Sequence, residues 1–164
     1  MERRRACASA SALQSEMKAP MLQFLPFVNS APESSAPRVA IAEDDEDQRC
    51  ALEQALKAEG FEVVTMEDGF ELADYFLEGA EAHRPAAVIA DVDMPGRSGI
   101  DAIAQVRRAG VSVPVFLVTG LRSPEVRRRA MLLGNTLVFE KPIDLTQLAH
   151  AVRALASLVP GSSS

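Results

Sequence analysis

Five consecutive acids, Glu43 to Asp47, close the apolar run Val39-Ala40-Ile41-Ala42, and a lone Asp91 closes a second run, Ala86 to Ala90. If both runs are buried parallel strands, their carboxyl ends open on one edge of the sheet, where open α/β folds place their ligands. Two further strand ends supply Thr119 and Lys141 to that edge. An oxygen-only acid cluster suits a hard cation such as Mg²⁺, which takes one or two carboxylates and keeps several waters. With a hydroxyl and an ammonium available for anionic oxygens, one carboxylate is left over as a nucleophile. The chemistry these residue types imply is metal-dependent handling of a phosphoryl group.

The elements that must position them follow from the alternation of short apolar runs with longer amphipathic segments, which signals parallel strands joined by crossover helices. Strands are predicted near Val39–Ala42, Glu62–Thr65, Ala86–Ala90, Val113–Val118 and Leu137–Phe139, three of them buried on both faces. Helices follow at Glu46–Glu59, Phe70–Glu78 and Ile100–Ala109, each with a glycine just beyond or near its end. A fourth begins at Ser123-Pro124-Glu125, with a capping residue, a proline in the first turn and an acid for the helix dipole, and runs to Gly134. The fifth, Leu145–Leu158, carries Leu145, Leu148, Val152, Leu155 and Ala156 on one face. Gly96 and Gly99 are expected to make a tight turn after Asp91.

The chain of 164 residues is long enough for one core and a tail. Residues 1–37, rich in Ala, Ser and Pro, read as a disordered lead-in; residues 38–159 form the domain, and residues 160–164 a disordered tail. A net charge of -6 argues against nucleic-acid binding, which calls for a basic patch to neutralise phosphates. Cys7 and Cys50 make no disulfide framework and suit a reducing cytoplasm. No apolar stretch approaches the roughly 20 residues that span a bilayer, so no membrane contact is expected. No GxxxxGK[ST] pattern occurs, which argues against a nucleotide-binding P-loop.

Four blocks in order then carry a resemblance: Glu43-Asp44-Asp45, Asp91-Val-Asp93-Met-Pro95-Gly96-Arg-Ser-Gly99, Val118-Thr119-Gly120 and Glu140-Lys141-Pro142. Residues 38 to about 159 resemble the receiver domain of two-component response regulators. The resemblance implies a five-stranded parallel, doubly wound (βα)5 sheet of the flavodoxin-like three-layer kind. It also implies that Asp91 accepts a phosphoryl group from a histidine kinase or a histidine phosphotransfer protein. Mg²⁺ would be held by Asp44, Asp91 and the backbone carbonyl of Asp93, with Glu43 acting through a water on the ion. Thr119 and Lys141 would then hold the phosphoryl oxygens, and Lys141-Pro142 would be a cis peptide.

The acid run itself offers two adjacent pairings, Glu43-Asp44 and Asp44-Asp45. In the resembled family a basic residue often lies five positions after the direct ligand, and counting back from Arg49 gives Asp44. Asp45, Glu46 and Asp47 would then populate the first turn of the first helix. The chain departs from the family pattern at Val138, where many receivers carry a switching aromatic, with Phe139 next door, and at Gly120, which often is Ala. Asp93 adds a further carboxylate beside the pocket.

The reading is a single-domain response regulator: a phosphoacceptor signalling protein rather than an enzyme, acting through a downstream protein target or a second copy of itself. The expected contact face is the fourth helix, fifth strand and fifth helix, where Arg122 and Arg127-Arg128-Arg129 form either a docking surface or a solvated basic face. Two rival classes are a phosphorylation-independent pseudo-receiver adaptor and a haloacid-dehalogenase-like phosphatase. Asp91-Val-Asp93 resembles the nucleophile motif of the latter, but that family places the motif after its first strand and its acidic metal pair downstream.

Overall fold

The computed structural model describes residues 36–79 and 83–156. Strands and helices alternate throughout: β1 (Arg38–Ala42), α1 (Glu46–Ala58), β2 (Glu62–Met66), α2 (Gly69–Glu78), β3 (Ala87–Asp91), α3 (Gly99–Arg108), β4 (Val115–Thr119), α4 (Pro124–Leu133), β5 (Thr136–Glu140) and α5 (Leu145–Ala156). The strands form one parallel sheet in the order β2-β1-β3-β4-β5. This is the expected doubly wound (βα)5 flavodoxin-like arrangement. The order reverses between β1 and β3, so a crevice opens beyond their carboxyl ends. The expected disorder of residues 1–35 and 160–164, and the last two residues predicted for the fifth helix, lie outside the described residues.

Burial along each strand follows its place in the sheet. The central strands β3 and β4 are buried throughout, and β1 is buried from Val39 on. Their Val, Ile, Leu, Ala and Phe side chains pack on both faces, as parallel strands covered by helices require. Edge strands β2 and β5 carry polar or exposed residues between their apolar ones. Side chains of alternate parity enter two cores. Ala40, Ala42, Val88, Ala90, Val115 and Leu117 pack with α2, α3 and α4. Val39, Ile41, Ala87, Ile89, Phe116 and Val118 pack with α1 and α5 on the other face.

Helix starts are set by short polar side chains. Asp45 is the N-cap of α1, its carboxylate accepting from the Gln48 N–H at 2.9 Å. Asp68 caps α2 by accepting from Phe70 and Glu71 N–H, and Ser98 caps α3 by accepting from Asp101 N–H. Ser123 departs from expectation: it stands at the N-cap of α4 with Pro124 following, but its hydroxyl makes no capping bond. The fourth helix is thus punctuated by its proline and acid, while its cap position supplies only a backbone carbonyl, which accepts from Arg127 N–H.

The two glycines of the turn after Asp91 act differently. Gly96 has φ +76°, a conformation glycine tolerates, as the sequence predicts. Gly99 has no positive φ; a Cβ there would lie 2.1 Å from the Asp91 carbonyl oxygen. Its role is close approach: the first residue of α3 packs directly on the backbone of Asp91. Gly99→Ala should therefore cost about 1–3 kcal/mol by forcing backbone apart in a filled core. Gly110→Ala, at φ +83° with no atom near the added methyl, should cost only about 1 kcal/mol. Urea midpoints measure both; a Gly99→Ala protein as stable as the parent would contradict the packing argument.

Candidate functional site

The strand register brings the four sequence blocks to one edge. Ala42 pairs with Ala90, Asp91 with Val118, and Thr119 with Glu140. Glu43, Asp91, Thr119 and Lys141 are thus the terminal or next residues of four neighbouring strands. Glu43, Asp91 and Thr119 are buried polar residues in a molecule whose other buried positions named here are apolar. Such groups need partners, because an unpaired buried polar group is costly.

Lys141 supplies the main one. Its Nζ lies 2.6 Å from Asp91 Oδ2 and 3.2 Å from Glu43 Oε2. Burial works against the Lys141 charge, but the hydrogen bond and charge of Asp91, followed by those of Glu43, raise its pKa overall. Glu43 is pushed up to about 7, first by burial and then by the Asp91 charge, with Lys141 opposing both. The Lys141-Pro142 peptide is cis, as expected.

Asp44 is exposed, and one carboxylate oxygen from each of Glu43, Asp44 and Asp91 lies within 4.8 Å of the others. The Asp45 carboxylate is committed to the start of α1, and Glu43 and Asp44 are the acids grouped with Asp91. Asp45 precedes the first turn rather than lying in it, while Glu46 and Asp47 do occupy that turn. Arg49 fixes the loop itself, its guanidinium donating to the Glu43 carbonyl at 2.7 Å and to the Asp44 carbonyl at 3.3 Å. An all-oxygen set, two buried and one exposed, with like charges crowded together, fits a small hard divalent cation entering from solvent.

The loop after β3 wraps around Asp91, whose Oδ1 accepts from the Asp93 N–H at 2.9 Å. The Asp93 carboxylate turns toward β4: its Oδ2 lies 3.3 Å from Thr119 Oγ1 and 3.2 Å from Gly120 N. Sequence reasoning puts this carboxylate beside the pocket but misses where it reaches; the Asp-x-Asp spacing signals only the local bond from Asp93 N–H to Asp91 Oδ1.

On β5, Val138 packs with the core of α2, α3 and α4, whereas Phe139 packs on the opposite face, its ring 5.9 Å from that of Phe116. Adjacent strand residues point to opposite faces, so Phe139 cannot take the place of an aromatic at 138. The arginines of α4 do not form one basic face. Arg127 pairs with Glu140 and Arg128 with Glu125, while Arg129 reaches α3 and meets Asp101 at 2.5 Å. Successive helical residues are separated by about 100°, which forces this divergence.

A parallel sheet of this strand order, with its acid pocket at the point of reversal, defines the flavodoxin-like class of α/β proteins. Within it, the chain belongs to the response regulator receiver domain family, whose profile matches residues 39–153. Among its relatives, transcriptional regulatory protein PrrA of Mycobacterium tuberculosis is 33% identical over 121 residues, covering 74% of this chain and 50% of PrrA. Transcriptional regulatory protein PdtaR of the same species is 35% identical over 121 residues, covering 73% of this chain and 57% of PdtaR. The chain thus spans about half the length of the curated relatives it matches. Among solved structures, chemotaxis protein CheY4 of Vibrio cholerae aligns with a TM-score of 0.64 at 26% identity, covering 73% of this chain and 98% of CheY4. The receiver domain of Francisella response regulator 1452 aligns at 0.68 and 21% identity, covering 76% and 99% of the two chains, a likeness of fold. The family is not that of haloacid-dehalogenase-like phosphatases, and Asp91 ends the third strand, after the acid pair of the first.

Removing the shared cation tests the electrostatics directly. Lys141→Met should destabilise the domain by about 2–3 kcal/mol, because it leaves two buried carboxylates uncompensated. Mg²⁺ should recover more stability in this variant than in the parent. Equal thermal midpoints of variant and parent in a metal chelator would show that Lys141 does not hold these acids together.

Proposed function

We propose that the chain accepts a phosphoryl group on Asp91 in a Mg²⁺-dependent reaction and signals through protein contacts. The observation that carries this reading is the Asp91 carboxylate at the end of β3, with the Lys141 ammonium 2.6 Å away and the Glu43 and Asp44 oxygens within 4.8 Å. In the step itself, an Asp91 carboxylate oxygen forms a bond to phosphorus as the donor's phosphorus–nitrogen bond breaks. The electron pair of that bond stays with the imidazole of a histidine kinase or histidine phosphotransfer protein, and Asp91 is left as an acyl phosphate.

Asp44, Asp91 and the Asp93 backbone carbonyl would hold the Mg²⁺, with Glu43 behind them. Bound there, the ion offsets repulsion between the carboxylates and the incoming phosphate, which at about 4 Å and an effective dielectric near 20 is roughly 4 kcal/mol per pair of charges. Lys141 holds one phosphoryl oxygen and the Thr119 hydroxyl another. A groove of about 510 Å³ beside Glu43 and Lys141, lined also by Leu52, Pro142 and Ile143, is the surface on which a protein donor would dock next to the site.

The response passes to a partner through the α4–β5–α5 side, where Arg122 and Arg127 both pair with Glu140, the strand partner of Thr119. That partner is a downstream protein or a second copy of the chain. A cytoplasmic setting and a role as phosphoacceptor rather than turnover enzyme belong to the same proposal. Among the described residues no helix is long and apolar enough to cross a membrane.

Intact mass after incubation with acetyl phosphate tests this reading. The parent should gain one phosphoryl group only when Mg²⁺ is present, and Asp91→Ala should gain none. An equal gain by Asp91→Ala would move the acceptor elsewhere, and no gain in the parent would favour the phosphorylation-independent adaptor.

A further inference from the structure

We infer that the Asp93 carboxylate is an internal occupant of the site meant for a phosphoryl oxygen, and that it must leave before that group can be held. The inference rests on the proposed phosphoacceptor role of Asp91. Three side-chain or backbone donors at the strand ends are suited to an anion: Lys141 Nζ, the Thr119 hydroxyl and the Gly120 N–H. Lys141 is engaged by Asp91 and Glu43. The other two converge on a single oxygen, Asp93 Oδ2, at 3.3 Å and 3.2 Å.

One anionic oxygen shared by a hydroxyl and the next residue's amide is the pattern a phosphoryl oxygen would adopt there. Asp93 cannot drift far, because its N–H donates to Asp91 Oδ1 at 2.9 Å. The occupant is therefore tethered beside the acceptor that the phosphoryl group must reach.

Three features make Asp93 displaceable rather than structural. Its two hydrogen bonds are weak: the 3.3 Å contact with the Thr119 hydroxyl is longer than the usual O–H···O range, and the 3.2 Å contact with the Gly120 N–H lies at the long end of the N–H···O range. The residue is exposed, so its carboxylate can swing into water without losing hydration. Thr119 has alternative local partners, since its hydroxyl also lies 3.3 Å from the Leu121 carbonyl and accepts from the Leu121 N–H at 3.0 Å. A methyl at position 120 would not hold Asp93 out: a Cβ there would stand 3.9 Å from Oδ2, an ordinary contact. Displacement of Asp93 thus opposes every anion that enters, by competition for the same donors and by like charge. It also frees the Thr119 hydroxyl and the Gly120 amide together.

The test uses beryllofluoride with Mg²⁺ as the phosphoryl probe, titrated into the parent, Asp93→Ala, Asp93→Asn and Asp91→Ala proteins. The Gly120 amide resonance reports the donor directly. Asp93→Ala should bind the probe about tenfold more tightly, since it removes a competitor that holds two hydrogen bonds to a charged acceptor. Asp93→Asn, which keeps an acceptor oxygen without the charge, should fall between. The Gly120 resonance should differ between unliganded parent and unliganded Asp93→Ala, and should coincide once both are saturated. A merely structural Asp93 would give the opposite sign, weaker binding in Asp93→Ala. Unchanged affinity, or an unliganded Gly120 resonance that ignores Asp93→Ala, overturns the inference. Binding by the parent that Asp91→Ala abolishes secures the underlying reading independently, so these results can fail alone; absence of binding in both parent and Asp93→Ala contradicts both.

Discussion

One ammonium holds together an edge of the sheet that would otherwise repel itself. Lys141 reaches across from the end of β5 to Asp91 on β3 and Glu43 beyond β1, touching carboxylates that burial alone would disfavour as anions. Burial, and after it the Asp91 charge, hold the Glu43 carboxyl above the usual carboxylate range, and Lys141 offsets only part of this. The rest of the architecture serves that balance. Parallel strands in matched register deliver the four ends to a single edge, and Gly99 lets α3 sit against the Asp91 backbone without a methyl in the way. Arg49 pins the carbonyls of Glu43 and Asp44, so the buried acid and the exposed one stand side by side on a fixed loop.

Much of this was legible in the chain because burial writes itself into composition. The uninterrupted apolar runs of β1, β3 and β4 mark strands covered on both faces, and the glycines near helix ends set the period of the βα units. The placement of Asp91 and Thr119 at the sheet edge is legible for the same reason, each being the polar residue that ends an apolar run, and Lys141 follows its run one residue later, after Glu140. Glu43 could be paired with Asp44 only by resemblance, since sequence alone does not say which acid of a run turns to cap a helix. The commitment of Asp45 to Gln48 N–H answers that question through one hydrogen bond.

What stayed hidden depends on side-chain direction. The convergence of Thr119 and Gly120 on Asp93 needs two loops from different strands, and no local pattern encodes their separation. Gly99 looked like a turn residue because spacing to Asp91 is visible in sequence while a close backbone approach is not. Ser123 had the right identity for a cap but makes no capping bond, and the triple arginine of α4 looked like one charged face until helical rotation sent Arg129 toward α3. Val138 is the departure that sequence did expose. Val138 packs into one core and Phe139 into the other, while the Glu140 ion pairs with Arg122 and Arg127 join β5 to the β4–α4 region through side chains.

The proposed divalent-cation site, for which Lys141 is a partial substitute, is tested most directly by titrating the parent and Asp44→Asn proteins with Mn²⁺ and following the loss of the free-ion electron paramagnetic resonance signal. One ion should bind per parent chain, with an affinity at least about tenfold weaker in Asp44→Asn, which loses an exposed charged ligand while the buried pair stays intact. Equal binding by both proteins, or no saturable binding by the parent, would contradict it.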